Sequence, residues 1–119
     1  MSHPSEETMK RYKLLLYDLK SKRVGSQRIF ITGILPRHSE NDYWNSKALG
    51  LNDRLEVECI KNDFIFIDLW EGFIDNPNLY KYDGVHLNGH GIKKLSNLLT
   101  TEICAVSSSG KSIGLQSED

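Results

Sequence analysis

Residues 28–37 read Arg28-Ile29-Phe30-Ile31-Thr32-Gly33-Ile34-Leu35-Pro36-Arg37, and the fold turns on this stretch. From Ile29 to Ile34 it is short, rich in β-branched residues and almost continuously apolar. A strand with one wet face alternates apolar and polar side chains. A run without alternation suits a strand covered on both faces, as in a parallel sheet. Leu35-Pro36-Arg37 ends it, because proline has no amide to give to a central ladder. A second run of the same kind, Phe64-Ile65-Phe66-Ile67-Asp68-Leu69, follows later in the chain.

Helical patterns flank both runs. Between them, after a polar loop from His38 to Trp44, a helix is expected over Ser46–Asn62, with Ala48, Leu51, Leu55 and Cys59 on one face. Ahead of the first strand, Ser5–Lys22 reads as a helix. Met9, Tyr12, Leu15, Leu16 and Leu19 recur at helical spacing, Ser5 is placed to cap it, Glu6 and Glu7 suit its positive end, and Gly25 punctuates its far end. After the second strand a loop is expected from Trp70 to Asn88, with Asp75-Asn76-Pro77-Asn78 as its turn. A last helix then runs from about Gly89 to Ile103, with Ile92, Leu95, Leu99 and Ile103 inward. The order is α-β-α-β-α, an α/β arrangement with a short parallel sheet. Residues 5–105 form one unit in this reading, and 106–119, rich in Ser and Gly, a disordered tail. A sheet of two strands is marginal alone, so the pattern reads as part of a larger doubly wound domain.

Composition narrows the function classes. The 119 residues make one domain at most, and 39% hydrophobic with 26% charged residues excludes a fully disordered chain. No apolar run approaches the ~20 residues of a membrane span, and Met1–Glu7 lacks the basic and apolar regions of a secretory leader. No membrane partner is expected, and a cytoplasmic location is. Fifteen basic residues are spread among sixteen acidic ones for a net charge of −1. That balance shows no basic stripe and gives no reason to expect nucleic acid as a partner. The densest basic stretch, Lys20-Ser21-Lys22-Arg23, reads as a solvated helix end. Cys59 and Cys104 each sit among apolar residues in helical segments and read as core thiols, without zinc-ligand spacing.

Chemistry concentrates in Tyr80-Lys81-Tyr82-Asp83-Gly84-Val85-His86-Leu87-Asn88. The segment follows the second strand and precedes a helix, where open α/β sheets collect their functional groups. Asp at one position and His three residues on can share one tight turn, the carboxylate orienting the imidazole as a base. A lone D-x-x-H is more often a turn with a packed histidine, since so short a motif recurs by accident. The wider segment, however, resembles the terminal block of SGNH (GDSL-type) hydrolases, D-G-x-H-L-N-x-x-G, in Asp83-Gly84-Val85-His86-Leu87-Asn88-Gly89-His90-Gly91. Ile29 to Arg37 is similar to that family's later strand with its G-x-x-P end. Asn52 and Leu55 fit its N-x-x-L habit, and Phe66–Leu69 resembles its last strand. Gly33 to Arg37 followed by Trp44-Asn45 is most like retroelement-encoded versions.

The resemblance covers about Ser5 to Leu99 and implies the C-terminal half of a flavodoxin-like three-layer domain. It implies that Asp83 orients His86 and that His86 deprotonates a serine. That serine sits in a G-D-S block ahead of the part of the fold seen here. The chain alone is therefore expected to be inactive, to act on an acyl ester if completed by an N-terminal half, and to self-associate through an exposed strand edge. The alternative is a non-catalytic α/β interaction module in which the site is vestigial. No cofactor or metal is expected: His86 and His90 are four apart, but Leu87 stands where a zinc helix needs Glu. Gly50-Leu51-Asn52-Asp53 matches a family block but reads as helix interior, and Gly110-Lys111-Ser112 reads as tail. Gly25-Ser26 precedes a strand rather than following one. His38 reads as a solvated loop histidine, with a cleft-lining role as the other possibility. Trp44 and Trp70 read as covers for the sheet's end.

Overall fold

The computed structural model describes residues 4–39 and 43–109. Its elements are α1 (Pro4–Ser21), β1 (Phe30–Thr32), α2 (Tyr43–Lys61), β2 (Ile65–Ile67), α3 (Trp70–Phe73), a 3-10 turn (Pro77–Leu79) and α4 (Gly89–Ser109). The two strands pair in parallel, with Phe30 opposite Ile65, Ile31 opposite Phe66 and Thr32 opposite Ile67. Single bonds carry the ladder one residue further at each end, from Ile65 N to Ile29 O (2.9 Å) and from Gly33 N to Ile67 O (2.9 Å).

Period-two alternation sends successive side chains to opposite faces, and helices cover both. Ile29, Ile31, Phe64 and Phe66 pack on Leu16, Leu55 and Cys59, with Tyr12 and Leu19 beside them. On the other face Phe30, Ile67 and Leu69 meet Phe73, Leu79 and Tyr80 and the inner stripe of α4, Leu95, Leu98 and Leu99. The result is three layers: α1 with α2, the sheet, then α4. Contacts between α1 and α2 advance together along both helices, from Glu6–Arg54 (2.9 Å) to Lys13–Glu58 (3.8 Å), so the two run parallel. Beyond them the Arg23 guanidinium donates to Asp63 O (2.9 Å). Leu16 and Leu55 are fully buried between these helices and the sheet, and truncating either to alanine would cost about 2–5 kcal/mol.

Several local expectations are corrected. Helix α1 begins at Pro4, at the first helical position that proline favours, so Ser5 lies inside the first turn and is not the cap. Leu15 is half exposed, and its neighbour Leu16 takes the inward position. In α4 the inner stripe is centred on Leu95, Leu98 and Leu99. At 3.6 residues per turn Ile92 and Ile103 fall roughly 70–90° from that centre, and both are exposed. Cys104 lies on the opposite side and is exposed, whereas Cys59 is buried as expected. The stretch expected as a plain loop after β2 holds α3 and the 3-10 turn, and Pro77 opens that turn. Helix α4 continues through Ser109, into the segment expected as tail. The rest of that segment, with Gly110-Lys111-Ser112, lies outside the described residues. No helix among the described residues is long and apolar enough to cross a membrane.

Both outer edges of the two-stranded sheet lack a further strand among the described residues, and the edge of β1 is the one that follows from the ladder's register. In a parallel ladder alternate residues bond to the same neighbour, so Ile29, Ile31 and Gly33 serve β2, and Phe30 and Thr32 present their backbone groups to the other side. No further strand pairs there among the described residues.

Candidate functional site

The site is built from the two loops that leave the strands at their carboxyl ends. The loop after β1 is held straight by side chains of α2 rather than by a strand. Asn52 Oδ1 accepts from Ile34 N (2.7 Å) and its Nδ2 donates to Ile34 O (3.0 Å). Asn45 repeats the pattern on Arg37 at 2.8 and 2.9 Å. The two asparagines stand seven apart, two helical turns, on one side of α2. A Cβ at Gly33 would lie 2.8 Å from the Phe66 ring and 3.1 Å from Asn52 Oδ1, so glycine lets Asn52 approach without a shift of either side chain. The Arg37 guanidinium lies over the Trp44 ring at 3.7 Å. Gly50-Leu51-Asn52-Asp53 is helix interior, as read from the sequence.

The loop after β2 begins with Asp68 Oδ1 accepting from Trp70 N (3.0 Å), which starts α3. Trp70 and Phe73 are buried, Phe73 in the cluster with Ile67 and Leu69. The chain then forms a narrow turn. Lys81 N donates to His86 O (2.7 Å), Gly84 N donates to Lys81 O (2.9 Å), and Tyr80 and Leu87 form an antiparallel bridge. Asn88 closes it: its Nδ2 donates to Asn78 O and Tyr80 O, and its Oδ1 accepts from Gly91 N (2.9 Å) and so caps α4. The Tyr80 hydroxyl donates to Pro36 O (2.6 Å), tying this turn to the loop after β1. Burial pushes that phenol up to about 12, so it remains a neutral donor.

Inside the turn the structure brings Asp83 and His86 together. Asp83 Oδ1 accepts from the amides of Val85 (2.9 Å) and His86 (3.0 Å), and Oδ2 lies 2.6 Å from His86 Nδ1. The His86 amide, then the imidazole, then the Val85 amide hold the Asp83 carboxyl well below the usual carboxylate range. An ionised carboxylate only accepts, so Nδ1 carries the proton, and in the neutral ring Nε2 is the basic nitrogen. The His86 side chain is 73% exposed and that of Asp83 47%. Nε2 has no partner among the described residues. A cleft of about 460 Å³ adjoins the carboxylate, lined by His38, Ser39, Tyr82 and Asp83. Another cavity, of about 260 Å³, lies between α1 and α2 away from this turn.

His38 differs from its expected solvated state. It is half-buried, its Nε2 donates to Phe73 O (2.8 Å), and its ring meets Tyr80 edge-on at 4.6 Å. Sequence reading missed this anchor, because its partners lie 35 and 42 positions further along the chain. His90 stands exposed in the first turn of α4. Among the described residues no group of three or more His, Cys, Asp or Glu is placed to hold a metal ion.

Compared with solved structures, the chain superposes on the esterase domain of the ORF1 protein from the zebrafish ZfL2-1 retrotransposon, with a TM-score of 0.76 over 86% of its length and 24% sequence identity. This chain has the fold of that esterase domain. It spans 64% of the domain's length. The likeness bears out the α/β fold read from the strands and the resemblance to a retroelement-encoded domain. No family model matches the chain, and no curated protein matches it in sequence.

Proposed function

We propose that Asp83 and His86 are the acid–base pair of an SGNH-type ester hydrolase, and that this chain carries that half of the site and is inactive alone. The observation that carries the reading is the 2.6 Å contact from Nδ1 to Oδ2, with Nε2 left open, beyond the carboxyl end of a parallel strand. In the reaction, Asp83 fixes the tautomer and stabilises the imidazolium that forms. Nε2 takes the proton of a serine hydroxyl as its oxygen attacks the ester carbonyl, then returns a proton to the departing alcohol. Water then repeats the sequence on the acyl-enzyme. No G-D-S sequence occurs in the 119 residues. We assign the serine and the oxyanion donors to a segment outside them, and the open edge of β1 to the strand that segment supplies. The 64% span of the zebrafish domain supports that assignment.

The test is hydrolysis of a short-chain aryl ester. The purified chain is expected to show no turnover above buffer. Fused behind the portion of the zebrafish domain that has no counterpart here, it is expected to gain turnover that His86→Ala removes. Turnover by the isolated chain that His86→Ala removes would contradict its inactivity alone, and fusion turnover that survives His86→Ala would contradict the assignment of the pair.

A non-catalytic interaction module is the second reading. What favours it is the apolar surface on the outer sides of α1 and α2, where Leu14, Tyr17, Val57 and Ile60 are 50–72% exposed. Stable binding to another protein, unchanged by His86→Ala, together with an inactive but folded fusion, would select it.

A further inference from the structure

The hydrogen bonds that shape the Asp83–His86 turn are made within residues 78–91. It is joined to the loop after β1 at two places, the Tyr80 hydroxyl on Pro36 O and the His38 amide, which donates to Gly84 O at 2.7 Å. Gly84 sits in the middle of the D-x-x-H motif at φ +70°, pressed so closely under the His38 carbonyl that a Cβ there would overlap it. The backbone of His38 therefore grips the turn between its two functional residues.

That grip needs an anchor. Asn45 holds the chain on the near side through Arg37. At His38 itself the anchor is the side chain, with Nε2–H on Phe73 O at the end of α3 and the ring edge against Tyr80. One residue thus links the loop after β1, α3 and the turn. The Asp83–His86 contact is largely exposed, and water competes for both partners. An exposed hydrogen bond does not fix a turn unaided, so its geometry depends on what clamps the backbone.

We propose that His38 is a positioning residue for the Asp83–His86 pair, acting through Gly84 to hold the carboxylate beside the imidazole. This rests on the reading of that pair as the functional site, but its test needs no catalysis. The experiment is NMR of the whole chain, following the low-field Nδ1–H resonance of His86, the exchange of the Val85 and His86 amides, and the acid titration of Asp83. His38→Phe keeps a ring against Tyr80 and removes the donor to Phe73 O. It is expected to erase the low-field resonance, to speed exchange of the two amides about tenfold, and to move the Asp83 titration up toward its ordinary value of ~3.9. His38→Gln restores an N–H donor and is expected to recover all three. Leu16→Ala, on the far face of the sheet, is expected to lower Tm and leave all three unmoved, which separates positioning from general destabilisation.

His38→Phe with wild-type signals overturns the proposal, as does Leu16→Ala moving them equally. If His38→Phe does not fold, the test passes to His38→Gln: loss of the signals in a folded His38→Gln overturns it. The signals respond whether or not the pair is catalytic. An inactive fusion with intact His38-dependent signals therefore counts against the hydrolase reading alone.

Discussion

Asp83 makes three bonds from one carboxylate, two of them to backbone amides. Because its folded pKa is depressed, its contribution is complete above the unfolded value near ~3.9 and is lost only as pH falls through the lower folded value. The contact to His86 is therefore expected to survive at pH 3.5, read as a persistent Nδ1–H resonance. An Asp83 carboxyl that titrates near 3.9 would show that the bonds are not made. Tyr80 works in the opposite direction. Its pKa is raised to about 12, so its contribution is complete below ~10 and is lost as pH rises from there toward 12. Tyr80→Phe is expected to cost about 1–3 kcal/mol by leaving Pro36 O without its donor, and to flatten the alkaline loss of stability. Urea titrations at pH 8 and pH 11 check both. The Asp83–His86 pair was legible because the bonds of the Asp83 carboxylate all go to Val85 and His86. His38 was not, because nothing local to it marks a histidine whose contacts are Phe73 and Tyr80.

Among the elements, α2 does unusual work for β1. Asn52 is buried and meets both backbone groups of Ile34. Asn52→Ala leaves both unpaired, at about 1–3 kcal/mol each, and a drop of that size in urea-unfolding free energy is expected. Asn45 holds Arg37 in a less buried place, and Asn45→Ala should cost less. Equal, small effects at the two sites would mean water replaces the amides. Both strands and all three long helices were legible, because apolar runs and helical periodicity report burial directly. Their ends were not. Each strand is three residues long, since pairing stops where the ladder leaves its neighbour, and periodicity does not encode that. The stripe of α4 was misjudged at its rim, where Ile92 and Ile103 continue the apolar pattern without reaching the core. Helix α3 is a single turn started by Asp68, too short to show a period.

At the scale of the whole molecule, helix α4 is solvent-exposed from Thr100 to Ala105, and β1 is packed on both faces like an interior strand yet has one edge unpaired among the described residues. Unpaired edges template association. Sedimentation of the isolated chain is therefore expected to show oligomers, shifted toward monomer by Thr32→Pro, which blocks the edge. A sharp monomer peak for the unmodified chain would mean the edge is inert.

A His86 base held ready by Asp83 for a serine supplied from elsewhere in the fold is tested by kcat/KM for aryl-ester hydrolysis by the completed fusion, compared with its His86→Ala and Asp83→Asn variants, each verified as folded by circular dichroism. Measurable turnover is expected, falling roughly 10⁴-fold or more in both variants. A folded fusion whose hydrolysis is unchanged by either substitution would contradict it.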